Sequence, residues 1–392
     1  MMKKRIALLC TVFVLLAAIT PAAFAADNFS MDDIRFGSEQ KFDPILYSTN
    51  VVRCATTVQD GHPIALSVVG GSPCSVLSVV DLVTGKRIAE FDLKGQTATS
   101  WQMETDSKGN VWIGTYYKCH VYKYSPQTKT LTDLGSPFGE SAVIAMTIDD
   151  NDNVWIGTFT NAKIIKIDGE TGAMTDYGNV KSGEQYVYNL AAYKNKLYYA
   201  CSNDTQLYEF DPATRQSTLI PFPENGITTN NKTSLYIRDK YAICVGDGGD
   251  IQCYDLENKT WTEKIKAKWY GNVTSPLMDG KVYFANGKCI AALQLSDMTI
   301  TELTGLKWGS YLRGPATVHG LIELDDPDFP GLSYVTSQYS GGLYVMNFQT
   351  QKMKEYQDTL KGVATETRMG IFGPDGRYYV GEYMGTKAAA MD

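Results

Sequence analysis

The densest group of side chains with a possible chemical use lies late in the chain, in TETRMGIFGPDGRYYVGEYMGT. It holds Glu366, Arg368 and Glu382, and His319 lies upstream in RGPATVHG. A tyrosine or histidine that accepts a proton, beside an arginine that offsets negative charge, is what elimination next to a uronic carboxylate requires. A second group suits holding a ligand: Trp101, Gln102, Tyr186, Tyr188, Tyr236, Tyr311 and Arg313. Aromatic faces stack on sugars and other planar groups, and arginine forks onto anions. The same aromatics could instead fill an interior channel, with the polar groups facing water. Histidine is scarce, at His62, His120 and His319. A solitary histidine is more often a structural hydrogen bonder than a base.

The elements that must position these residues are read from a repeat. GNVWIGT at 109–115 returns as DNVWIGT at 152–158. Weaker copies follow as KLYYACS, KYAICVG, KVYFANG, LSYVTSQ and RYYVGEY, and PIALSVV precedes them. A period in the forties is the mark of a propeller blade, one four-stranded sheet per repeat. Residues 99–135 show the grammar: TSWQMETD, then VWIGTYY, then HVYKYS, then TLTDLG, each bounded by turn residues. Alternation with period two predicts strands, and helical periodicity is absent after the first 25 residues. The continuous apolar run VWIGT predicts a strand buried on both faces, with Gly114 and Gly157 admitting close approach of the next sheet. The expected fold is all-β, a β-propeller of eight four-stranded blades, with seven as the alternative. The last unit has only three strands. Either residues 31–48 supply the fourth or the protein continues beyond residue 392.

Residues 1–25 read as a signal peptide, with a basic start at Lys3, Lys4 and Arg5, an apolar run, and Ala23-Phe24-Ala25 as a cleavage site. Residues 26–392 then form one propeller domain, expected to be secreted or held at a bacterial cell surface without membrane insertion. Losing the signal leaves 33 basic and 43 acidic residues, a balance that disfavours nucleic acid. Seven cysteines remain, an odd number. Cys244 and Cys253 bracket VGDGGDIQ, so a turn at Gly248-Gly249 would set them opposite one another on a hairpin. Buried thiols are the alternative. No cofactor is expected. Asp149, Asn151 and Asn153 alternate oxygen ligands as a calcium loop would, although Asn, Asp and Gly are also ordinary hairpin residues. The acidic stretch ELDDPDFPG, 323–331, falls in the one lengthened repeat and reads as a surface insertion.

The units D-x-x-G-N-V-W-I-G-T, V-Y-K-Y-S-P-Q-T-K and L-T-D-L-G resemble repeats of secreted bacterial propellers in the broad streptogramin (virginiamycin B) lyase-like group. The likeness spans nearly all of residues 26–392. It implies a propeller with a ligand at one mouth of its channel. In the lyases of that group the phrase reads Trp-Phe-x-Glu in many blades, and an inner strand supplies a catalytic histidine. Here Thr115, Thr158, Cys201 and Ser337 stand at the acid's position, and only Glu382 keeps it. Arg368 stands where the histidine would fall. The expected function is therefore binding of a glycan, peptide or protein partner at the channel face. The alternative is a lyase for an acidic polysaccharide or a lactone, using an Arg/Glu/His/Tyr pocket on the same face.

Overall fold

The repeated phrase folds as the second strand of its sheet. Val111–Thr115 is buried along its whole length, and Val154–Phe159 is buried except at its last residue. Strands covered on both faces need apolar, β-branched and aromatic side chains throughout, which VWIGT supplies. The strands that follow, Val121–Ser125 and Lys163–Ile167, alternate more strongly and are half covered. The fourth strands, such as Thr130–Asp133, are largely exposed. Burial in these sheets thus falls from the second strand to the outer edge.

A computed structural model of the chain describes residues 46–229, 233–269, 274–307, 312–313, 321–338, 342–365, 367–382 and 388–391. These residues form antiparallel strands joined in chain order. Five four-stranded sheets come first, with innermost strands Cys54–Gln59, Ser100–Thr105, Ala142–Ile148, Val187–Tyr193 and Ser234–Arg238. In the sixth sheet, Lys281–Asn286, Cys289–Gln294 and Thr299–Lys307 pair, and residues 274–278 run irregularly along the inner edge. In the seventh, two short pieces, Leu312–Arg313 and Leu321–Glu323, share Leu332–Gln338 as partner. The acidic 323–331 stretch follows the second piece. The eighth sheet is Thr367–Phe372, Tyr378–Glu382 and Ala388–Met391.

Seven hydrophobic cores join seven of these sheets face to face in a closed cycle. One core joins the first sheet to the second through Leu66, Leu77, Ile113 and Tyr124. The next joins second to third through Trp112, Val143 and Ile156. The cycle continues through four more cores to the seventh sheet. There Val335, Leu343 and Tyr356 pack on Cys54, Ala65 and Val80 of the first sheet. Each fully buried side chain of this size contributes about 1.5–3 kcal/mol. The seventh sheet meets the first across a joint where each has its own outer strand, so no strand is shared. Tyr356 Oη donates to the Leu82 carbonyl at 2.6 Å, and the Lys361 N–H donates to Ser78 Oγ at 3.0 Å.

Among the described residues the eighth sheet takes part in none of the seven cores. Ile371 and Phe372 are 71% and 73% exposed. Eight units are therefore legible in the sequence, and among the described residues seven share cores around the ring. Of residues 31–48, only Tyr47–Ser48 is a described strand, and it pairs with Val363–Ala364, not with the eighth sheet. The signal segment, residues 1–25, lies outside the described residues.

Two local devices explain the phrase. A Cβ on Gly114 would lie 2.5 Å from Val143 Cγ1, and one on Gly157 would lie 2.6 Å from Val187 Cγ1. The glycines let the next innermost strand close in. Asp106 and Asp149 each clamp the turn before the phrase. Asp149 accepts the N–H groups of Asn151 and Asn153 and the indole N–H of Trp155, the last at 2.8 Å. Asp106 does the same for Lys108, Asn110 and Trp112. The spacing weighed for calcium thus serves a turn in which donors surround the carboxylate.

The cysteine hairpin differs from the sequence expectation by one residue. Cys244 pairs with Gln252 and Cys253 with Ile243. A one-residue offset sends the two thiols to opposite faces. Cys244 joins the core with the fourth sheet, and Cys253 joins the core with the sixth. Both are free, and burial raises each thiol, Cys253 to about 12.

Candidate functional site

The innermost strands of the second, third and fourth sheets carry the same irregularity. Pairing slips between Ser100 and Gln102, between Val143 and Ala145, and between Val187 and Asn189. Trp101, Ile144 and Tyr188 are the extra residues. A bulge re-aims its side chain, and these three line one axial cavity with Arg53, Gln102, Glu104, Asn189 and Tyr236. Its volume is about 70 Å³, room for a few water molecules. A larger ligand must sit at the mouth. At that mouth, on the face where innermost strands begin, Trp101 stacks on Tyr116 at 4.5 Å and Phe159 on Tyr186 at 4.2 Å. All four rings are partly exposed.

Polar side chains stitch neighbouring innermost strands around the cavity. Arg53 Nε donates to the Trp101 carbonyl, Gln102 to Ile144 and Asn189 to Thr233. Arg238 donates to Ser275 at 2.8 Å, to Thr274 at 3.2 Å and to Ile237 at 2.7 Å. It thereby holds the irregular inner edge of the sixth sheet. Burial lowers the Arg238 guanidinium from its ordinary value, and the Glu104 carboxylate opposes that shift. Tyr334 lies in the same field of Arg53, Arg238 and Glu104, and burial pushes its phenol far up.

Four of the residues chosen from sequence, Trp101, Gln102, Tyr188 and Tyr236, meet at this cavity. Tyr186 stands beside it in the stack on Phe159. Gln102 spends its amide on a neighbouring strand. The backbone of Arg313 pairs with Ser337 in the seventh sheet. Arg368 is the extra residue of a fourth slip, between Thr367 and Met369, and Glu382 lies opposite Thr367. Both belong to the eighth sheet. Tyr311, His319 and Glu366 lie outside the described residues. His62 and His120 pair with Asp81 at 2.8 Å and Asp133 at 3.1 Å.

Sequence reasoning missed Arg53, Glu104, Asn189 and Arg238. Arg238 was within reach, because period-two alternation puts it on the same face as Tyr236. Asn189 was not, since its place depends on the bulge at Tyr188.

Solved structures of known proteins share this fold. The chain is similar to virginiamycin B lyase from Staphylococcus aureus, with a TM-score of 0.57 and 15% identity over 76% of this chain and 96% of that one. The chain is a β-propeller. The propeller is also similar to the computationally designed Ika8 protein, with a TM-score of 0.52 and 15% identity over 88% and 97% of the two chains. A third likeness is to U3-55K, at 0.51 and 9% over 76% and 88%. No protein-family model matches the propeller's sequence, and no curated protein's sequence does. Identities this low speak to fold alone.

Proposed function

We propose that this propeller is an exported binding protein that takes a glycan at the channel mouth formed by its second, third and fourth sheets. The observation that carries the reading is the triple bulge, which turns Trp101, Ile144 and Tyr188 into one cavity beneath the Trp101–Tyr116 and Phe159–Tyr186 stacks. Aromatic faces bordered by amides and an arginine suit a sugar ring better than an extended peptide. Export rests on the basic, apolar and Ala-x-Ala pattern of residues 1–25. The test is glycan-array binding of wild type, Trp101→Ala and Tyr188→Ala. Each variant is expected to lose about tenfold or more affinity for the wild-type ligand while unfolding normally. Glycan binding unchanged in both variants would remove the mouth from the reading. A protein captured in place of any glycan would change the ligand class.

A second reading, a lyase, is favoured by one observation. Arg368 occupies on its strand the extra position that Trp101 and Tyr188 occupy on theirs. With Glu366, Glu382 and His319 it would form the acid–base group. Ultraviolet absorbance growing on an acidic polysaccharide, and abolished by Arg368→Ala, would establish it. A flat trace in the wild type would end it.

A further inference from the structure

On the face opposite the bulges, the grooves between successive sheets are built from equivalent residues 43 positions apart. Between the second and third sheets the groove is closed. Lys123 Nζ donates to the Gly169 carbonyl at 2.7 Å, and Lys108 pairs with Glu170 at 3.2 Å. Ser107 donates to Asp152 as well. Gly169 is tightly placed, since a Cβ there would lie 2.1 Å from the Asp152 carbonyl oxygen.

Between the third and fourth sheets one lysine is kept and the other closing elements are replaced. Lys123 corresponds to Lys166, whereas Gly169 becomes Pro212, Glu170 becomes Ala213 and Lys108 becomes Asn151. Pro212 puts ring atoms where Gly169 has none. Ala213 and Asn151 cannot form the ion pair. The result is a cavity of about 280 Å³, walled by these residues with Trp155, Tyr177 and Asn195. Two lysines at its rim are engaged, Lys194 with Glu257 and Lys196 with Asp211. Asp149 is engaged in its turn clamp. The Lys166 ammonium makes no hydrogen bond or ion pair among the described residues. Its Nζ lies 5.8 Å from the Trp155 ring centroid, and it acts on Asp168 only through space.

We propose that this groove is a binding site for one anionic sugar unit, with Lys166 taking its carboxylate. The volume fits one ring and not a chain. The Asn151 and Asn195 amides offer partners for hydroxyls, and the Trp155 and Tyr177 rings give an apolar wall. The site is independent of the channel mouth.

The test is an NMR titration of the full chain with galacturonate, with galactose as the uncharged control. Galacturonate is expected to shift groove resonances, and galactose to bind at least about tenfold more weakly, as is galacturonate to Lys166→Ala. The variant Asn151→Lys, Pro212→Gly, Ala213→Glu rebuilds the closed groove and should abolish the shifts with its unfolding transition intact. Trp101→Ala should leave them unchanged, which separates this site from the mouth. No shifts with galacturonate, equal binding of galactose, or shifts that survive the rebuilt groove would each overturn the proposal.

Discussion

The third and eighth sheets carry the same phrase, DNVWIGT and RYYVGEY, in opposite surroundings. Around Gly157 the fourth sheet presses so closely that a Cβ would collide with Val187. Around Gly381 no described residue lies within 4 Å of a Cβ. Trp155 is nearly buried, whereas Tyr379, at the same place in the phrase, is 37% exposed. The phrase encodes a strand fit to be covered. Whether it is covered depends on a second sheet, and that contact is not written in the phrase. Counting repeats therefore counts sheets, and the described cores join seven of the eight.

The sharpest way to break this contrast is to fill both glycines. Gly157→Val is expected to cost about 3 kcal/mol or more, because the added atoms meet packed backbone and side chain. Gly381→Val should fall within about 0.5 kcal/mol of wild type. Denaturant midpoints measure both, and equal losses would mean that the eighth sheet is covered after all. Next in size is Arg238→Met, which leaves the Thr274 and Ser275 carbonyls without their donor. About 2–4 kcal/mol should be lost, whereas deleting residues 366–392 should leave the ring folded with a cooperative transition. Collapse of the near-ultraviolet circular dichroism on that deletion would tie the eighth sheet to the ring.

The turn clamps offer a finer comparison. Asp149→Ala removes the acceptor of the Trp155 indole and should cost about 1–2 kcal/mol. Asp375 clamps the corresponding turn of the eighth sheet, accepting from Tyr379 Oη at 2.6 Å, but it is exposed. Asp375→Ala should leave the unfolding midpoint where it was. The smallest effect concerns pH. Burial alone would raise the Asp255 carboxyl, but the N–H of Asn258 and the Lys240 ammonium more than reverse this and hold it below the usual range. A carboxyl lowered on folding stabilises above its unfolded value, near 4, and that stability is lost as pH falls toward the folded value. Asp255→Asn should flatten the acid limb of stability; Asp375 is also lowered, by its hydrogen bonds from Tyr379 and the Arg377 N–H, but it lies in solvent, so Asp375→Asn should flatten the limb less.

Much of the ring was legible because strand burial leaves a period-two record. The Gly114 and Gly157 contacts, the hairpin turns and the inner-to-outer order of strands follow from residues taken one sheet at a time. The site was legible in part. Trp101, Tyr188 and Tyr236 stood out as aromatics on inner strands. The bulges that aim two of them are backbone irregularities with no residue signature of their own. Arg238 was overlooked although its alternation with Tyr236 was plain. The open groove at Lys166 depends on three replacements read against a neighbouring repeat, so it shows only when two repeats are overlaid on a known geometry. The Cys244–Cys253 register failed by one residue because the turn, not the cysteines, sets the pairing.

The joint between the first and seventh sheets has a mechanical consequence. Every other joint of the ring is crossed by the chain itself, so its two sheets stay tethered when they separate. At this one the contacts join residues as far apart as Leu82 and Tyr356, 274 positions along the chain, and among the described residues no linker spans them. Tension applied between the first and seventh sheets would load that joint alone. The ring would open there like a split washer, with the other six joints still shut.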